Sequence, residues 1–251
     1  MLTLPQLDLG LALLAAHAVA DFVLQPDWMV KNKERRPVLA LHCLIAAGLA
    51  YGFAGRWALW LLPAWVFLSH AAIDFIKVRT RRSTLLVFVL DQAAHLAVVA
   101  ALAWWFGREG ELSIWARYHG PNAWRFWILI SGAILCVRAG GILTGFWVKP
   151  YLDEIERAKS EAGVAVKAIR GLTNGGRVIG QLERTLIFML VGMAQPAAIG
   201  FLVAAKSIFR FGELKDRENR MEAEYITIGT LISFGWAIAT SCLAWWLARL
   251  V

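Results

Sequence analysis

Apolar stretches of about 20 residues recur along this chain, each long enough at 1.5 Å per residue to cross a bilayer's hydrocarbon core. Leu9–Gln25, Val38–Phe53, Trp57–Ile76 and Thr84–Phe106 read as four such helices, and Ala123–Val148, Thr185–Ala205 and Tyr225–Leu247 as three more. The expected fold is therefore an all-α, polytopic transmembrane bundle of about seven helices. Composition agrees: 59% of residues are hydrophobic and 13 are Trp, with a mean hydropathy of +0.57. A soluble domain uses roughly 45–50% apolar residues.

Loop charge sets the expected orientation. Lys31, Lys33, Arg35 and Arg36 follow the first helix, and Lys77, Arg79, Arg81 and Arg82 follow the third. The link between them offers only Arg56. The positive-inside rule places the basic loops in the cytoplasm and the N-terminus outside, with Trp57, Trp60, Trp104, Trp105 and Trp115 at the outer interface. No basic residue precedes the first apolar segment, so it reads as an uncleaved anchor. In a soluble chain a net charge of +8 would suggest nucleic acid. Here the charges lie in short loops, and the expected partners are membrane lipids, a lipid-like substrate, and a second copy or a subunit of a membrane complex. The expected location is a bacterial inner membrane. Cys43, Cys136 and Cys242 lie in apolar segments without CxxC spacing and read as buried free thiols.

Residues 1–110 form the expected four-helix domain, and residues 111–251 a three-helix unit with a cytoplasmic amphipathic segment at 151–180. GLTNGGRVIG, residues 171–180, reads as a hinge rather than a phosphate loop, since it lacks GxxxxGK[ST]. Thr185–Ala205 is read as one crossing, with Gln195–Pro196 offering a re-entrant break as the alternative. Arg138, inside the fifth helix, needs a partner, with Glu183 and Glu224 as candidates. Lys206, Arg210 and Lys215 can meet lipid head groups or water.

The apolar pattern is broken by ionisable groups, each costing roughly 2.5–3.5 kcal/mol on insertion scales. His17 is followed at i+4 by Asp21, His70 by Asp74, and Asp91 by His95, while His42 stands alone. Residues four apart share a helix face. Counting 1.5 Å per residue from the basic loops puts all seven roughly 4–17 Å deep in one leaflet. Helices of alternating direction would scatter randomly placed residues over both leaflets. Imidazole and carboxylate are ligands of zinc, iron and manganese. Zinc is the first choice, and the surplus of donors allows one ion or two.

His17, His70, His95 and Asp74 are the expected first ligands. Asp21 and Asp91 are ligands, bridges or the general base. His42 closes the site or shuttles protons, and Gln25 and Gln92 stand by to bind substrate or water. The layer predicts a metal-dependent hydrolase acting on a lipid-linked or amphipathic ester or phosphoester. The rival readings are an ion- or proton-coupled transporter and a non-catalytic subunit with a structural metal.

HAVADFVLQ, His42, HAAID and DQAAH, in that order over roughly the first hundred residues, resemble the bacterial membrane family named domain of unknown function 3307. IGQLERTLIF, AAKSIFRF and EYITIGTLISF carry the likeness into the C-terminal half. The resemblance implies a polytopic membrane protein and names no activity. At the level of His and Asp in membrane helices, the chain is also similar to membrane-bound metal-dependent hydrolases.

Overall fold

The computed structural model describes residues 2–80, 83–108, 110–161, 174–211 and 220–251, and no strand occurs among them. The helices are α1 (Leu4–Phe22), α2 (Asp27–Lys31), α3 (Arg36–Ala54), α4 (Leu62–Thr80), α5 (Leu85–Phe106), α6 (Ile114–His119) and α7 (Pro121–Ile134). A π-helical turn, Leu135–Ala139, joins α7 to α8 (Gly140–Glu161), followed by α9 (Gly175–Gly192), α10 (Pro196–Phe211) and α11 (Arg220–Leu250). Two compact units divide the chain: residues 1–134 with 246–251, and residues 135–245. The first runs past the boundary read at residue 110 because α7 packs on both α1 and α6.

Four helical stretches are long and apolar enough to cross a membrane by length and composition: Arg36–Ala54, Leu85–Phe106, Pro121–Glu161 and Met221–Leu250. α1 and α4 are each 19 residues long, but they carry the ionisable residues that lower their hydropathy. The segment read as Thr185–Ala205 is broken into α9 and α10. Ala194 takes a left-handed φ of 56°, and Pro196, which lacks an N–H, starts the next helix. The fifth helix does not stop before Pro150, as read, but continues through it to Glu161. The surface helix expected at 151–167 is thus, as far as Glu161, the last part of α8. Residues 162–173, Arg81, Arg82, Glu213, Lys215, Asp216 and Glu218 lie outside the described residues, as does the Arg210 side chain.

In the first unit α1 packs on α3, α5 and α7, and α4 packs on α3 and α5. Small residues make α1 a central post: Ala12, Ala15, Ala16, Ala18 and Ala20 are all buried, and small side chains let helices approach closely where lipid supplies no hydrophobic drive. Leu9, Leu13, Ala50, Ala54 and Leu62 fill the adjoining core. Thr3 starts α1 with a reciprocal capping box to Gln6, satisfying two otherwise orphaned donors. Gly55 ends α3 at φ 56°, where an added Cβ would stand 2.6 Å from Trp115 Nε1.

One end of this bundle is tied by Asp8, which is fully buried. Its carboxylate accepts from Ser113 N–H (2.7 Å), the Ser113 hydroxyl (3.0 Å) and Trp124 Nε1 (2.9 Å). Arg56 Nη2 lies 3.6 Å from it and donates to the Pro5 carbonyl at 2.8 Å. Burial pulls the Arg56 guanidinium below its ordinary value, and the Asp8 charge opposes that shift. Trp57, Trp60, Trp104 and Trp105 are exposed, as an interfacial belt requires. Trp115 departs from that expectation: it is half-buried and donates to the Gly52 carbonyl at 3.2 Å.

Candidate metal centre

The seven His and Asp residues singled out by spacing come together on α1, α3, α4 and α5, inside the first unit. Asp21 lies thirteen residues beyond Asp8, about 20 Å along α1. Asp21 Oδ1 stands 3.3 Å from His70 Nε2, 3.4 Å from His42 Nε2 and 3.8 Å from His17 Nδ1. The two Nε2 atoms of His42 and His70 are 2.9 Å apart. Asp74 Oδ2 is 3.6 Å from His42 Nε2 and 3.7 Å from His70 Nε2.

Those separations have a simple meaning. Four ligands on a tetrahedral ion at about 2.0–2.1 Å are about 3.3 Å from one another. Asp21, His42 and His70 form the tightest triangle, and Asp74 stands just outside it. His42, read as an accessory, is fully buried and central, while Asp21 occupies a ligand position. His17 and His95 flank the group, the His17 and His95 rings stacking at 4.9 Å and the His70 and His95 rings lying 4.3 Å apart. Three overlapping triads have ligand atoms within 4.8 Å: His17, Asp21, His70; His42, His70, Asp74; and Asp74, Asp91, His95.

Hydrogen bonds orient the outer imidazoles. His95 Nδ1 lies 2.9 Å from the Asp91 carbonyl, which only accepts, so Nδ1 carries the proton. Nε2 is then a bare lone pair, buried with no hydrogen-bond partner. His17 Nε2 donates to Gln92 Oε1 at 3.3 Å, leaving Nδ1 bare toward Asp21. This is the tautomer control that metal-binding histidines receive from surrounding groups. The Gln92 amide also donates to Asp91 Oδ2 at 3.1 Å and Asp21 Oδ2 at 3.5 Å, so Gln92 bridges α5 to α1. Gln25 is half-buried, and its Nε2 has no partner.

Two lysines, counted from sequence as loop charges, turn inward. Lys33 is buried and places Nζ 2.6 Å from Asp74 Oδ2, and Lys77 Nζ lies 2.6 Å from Asp91 Oδ2. Asp21 has no Lys or Arg partner among the described residues. Three carboxylates against two ammoniums leave one buried negative charge. Asp21 Oδ1 and Asp74 Oδ1 are buried without a hydrogen-bond donor, and burying such atoms is costly unless a cation or donor meets them. The donor set, its spacing and its charge therefore fit a divalent cation. The i+4 spacing marked Asp21 and His70, two corners of the triangle, but gave His42 no partner, and nothing local in KNKERR distinguishes Lys33 from its solvated neighbours.

The second unit holds the other buried charge. The guanidinium inside it belongs to Arg184, 4% exposed, whereas Arg138, expected there, is exposed. Glu183, one of the partners expected for Arg138, pairs with Lys206 at 2.6 Å. Cys136 is buried as expected, and Cys242 is exposed.

Residues 9–118 match the model of the family described as "Protein of unknown function (DUF3307)", and that segment is a member of the family. The match takes in all seven His and Asp residues together with Lys33, Lys77 and Gln92. No curated protein and no solved structure matches the chain.

Proposed function

We propose that this is a polytopic membrane enzyme that uses a divalent metal, zinc before iron or manganese, to hydrolyse an ester or phosphoester of an amphipathic or lipid-linked substrate. The observation that carries the reading is the triangle of Asp21 Oδ1, His42 Nε2 and His70 Nε2, with sides of 2.9–3.4 Å, whose carboxylate corner receives no hydrogen bond. Three protein ligands and one open position are the pattern of catalytic zinc. When bound, the metal supplies a Lewis acid that lowers the pKa of water to near neutrality.

The chain's own residues do the rest. Asp74, beside the triangle but held by Lys33, accepts the proton of the attacking water. Lys33 and Lys77 pair with Asp74 and Asp91 and meet negative charge on the substrate. Gln92 fixes Asp21 and His17. Asp74, Asp91 and His95 offer a second seat beside the first. On this reading the protein crosses a bacterial inner membrane seven times with its N-terminus outside and the centre in the cytoplasmic leaflet, an arrangement that the basic loops support.

A second reading has its own support. Asp74 lies 3.6 and 3.7 Å from the two imidazoles, close enough to close the tetrahedron, and closed sites are structural. The test is metal content by elemental mass spectrometry on purified protein, with metal-dependent release of p-nitrophenolate from p-nitrophenyl esters and phosphodiesters in mixed micelles. The enzyme reading expects one or two equivalents of metal, turnover that needs it, and Asp74→Asn that keeps the metal and loses turnover. Asp74→Asn that loses metal and thermal stability together supports the structural reading. Folded wild type that takes up no metal on titration overturns both.

A further inference from the structure

The second unit carries a buried charge of opposite sign. Arg184, on α9, has five N–H donors and satisfies two within the unit. Nε donates to the Val137 carbonyl at 3.0 Å, and Nη1 to the Ser233 hydroxyl at 2.8 Å. The π-helical turn makes the first bond possible, since its irregular ladder presents carbonyls sideways: Val137 faces Arg184, and Leu135 accepts from Trp236 Nε1 at 3.0 Å. Three N–H groups on Nη1 and Nη2 have no partner among the described residues.

No carboxylate among the described residues lies within ion-pair distance of this guanidinium. The neighbouring Glu183 is taken by Lys206, whose Nζ also sits 5.2 Å from the Phe234 ring centroid. Arg184, Lys206 and Glu183 together leave one uncompensated positive charge. Glycines keep the free edge of the guanidinium bare. An added Cβ at Gly141 would stand 2.9 Å from Nη2, and one at Gly180 3.1 Å from Nη1.

We infer that Arg184 is the seat of an oxyanion, a phosphate or carboxylate gripped by the Nη1–Nη2 edge between Gly141 and Gly180. A planar fork of parallel N–H donors matches two oxygens of such a group. A guanidinium buried between apolar helices suits an anionic group carried on acyl chains, as in basic pockets between membrane helices that hold anionic lipid head groups. The same chemistry is presented by a soluble phosphate, and the test separates the two.

Full-length protein in a non-ionic detergent is titrated with phosphatidylglycerol, phosphatidylcholine or inorganic phosphate at matched ionic strength, and thermal unfolding is followed. The expected result is a saturable rise of several degrees with phosphatidylglycerol and none with phosphatidylcholine. Arg184→Gln abolishes the rise, and Ser233→Ala, which keeps the charge, retains it. Where Arg184→Gln fails to fold, Gly141→Ala serves instead: its Cβ crowds Nη2 and weakens the lipid response several-fold. An equal rise with inorganic phosphate upholds the seat and assigns it to a soluble oxyanion. A folded wild type indifferent to both anions, or a full response persisting in folded Arg184→Gln, overturns the proposal.

Discussion

Asp8 and Asp21 sit on the same helix, both shut away from solvent, and differ in what surrounds them. Asp8 receives three hydrogen bonds from Ser113 and Trp124 and a guanidinium beside it. Asp21 Oδ1 faces three imidazoles and receives no hydrogen bond. One carboxylate is fully partnered by the chain, so its burial ties α1 to α6 and α7. The other faces imidazole nitrogens that a single cation can collect once it displaces the proton shared between His42 and His70. A buried acid by itself therefore says little, and the state of its lone pairs separates structural from ligand-binding use.

The largest effect expected from this contrast is at His70. His70→Ala removes the one imidazole shared by two of the three triads, and metal content should fall from one or two equivalents to less than about a tenth of the wild-type value. Metal at 100 times its Kd stabilises a protein that binds it by about 2.7 kcal/mol. Thermal unfolding with and without metal should show that increment in the wild type and none in His70→Ala. Retention of metal by a monodisperse variant would break the comparison at its centre.

Asp8→Ala should do the reverse. It strands the Arg56 guanidinium and the donors of Ser113 and Trp124, and breaking a buried pair costs about 3–5 kcal/mol. Thermal unfolding should move down by many degrees while metal bound per folded molecule stays unchanged. If Asp8→Ala lost metal in step with His70→Ala without loss of stability, the two ends of α1 would not be separable in the way argued.

Much of this was legible in the chain, for a physical reason. Helices α3 and α5 stay apolar enough to span a membrane despite the His and Asp they carry, and the i+4 pairs on α1, α4 and α5 survive as local spacing. What was lost depends on contacts distant in sequence. Lys33 looks like any loop lysine until α4 brings Asp74 to it. Asp8 looks like a polar residue near the chain start until Ser113 and Trp124 close on it from more than a hundred residues away. His42 had no local partner because both of its carboxylates, Asp21 and Asp74, come from other helices. Arg184 was read past in favour of Arg138, although the two are alike in sequence context, because only the packed helices show which one is buried. The break at Ala194 was visible as Gln195–Pro196, but hydropathy alone carries an apolar segment straight through it.

Gln92 and Lys33, both less conspicuous in the sequence than the pairs, sharpen the comparison by smaller amounts and opposite signs. Gln92→Leu keeps the approximate volume and removes the amide that steadies Asp21 Oδ2 and His17 Nε2. Loss of such an orienting group typically costs 10–100-fold in metal affinity, and competition with a chelating dye should read that weakening.

Lys33→Gln should strengthen binding instead. Its ammonium now neutralises Asp74 and repels an incoming cation, so its removal frees a carboxylate and deletes a like charge. Near a protein surface two unit charges 4 Å apart interact by about 4 kcal/mol at most, and solvent and rearrangement reduce this. An affinity gain of about tenfold, or about 1.4 kcal/mol, is the expected size. Turnover should move the other way, because Asp74 freed from Lys33 is drawn onto the ion, where it fills the open position and no longer stands beside it to take a proton. Tighter metal with slower hydrolysis would place Lys33 in the chemistry. Weaker metal would mean that Lys33 orders Asp74 for the ion, and that the acid ends of α1 and α4 are built more like the Asp8 cage than the contrast allows.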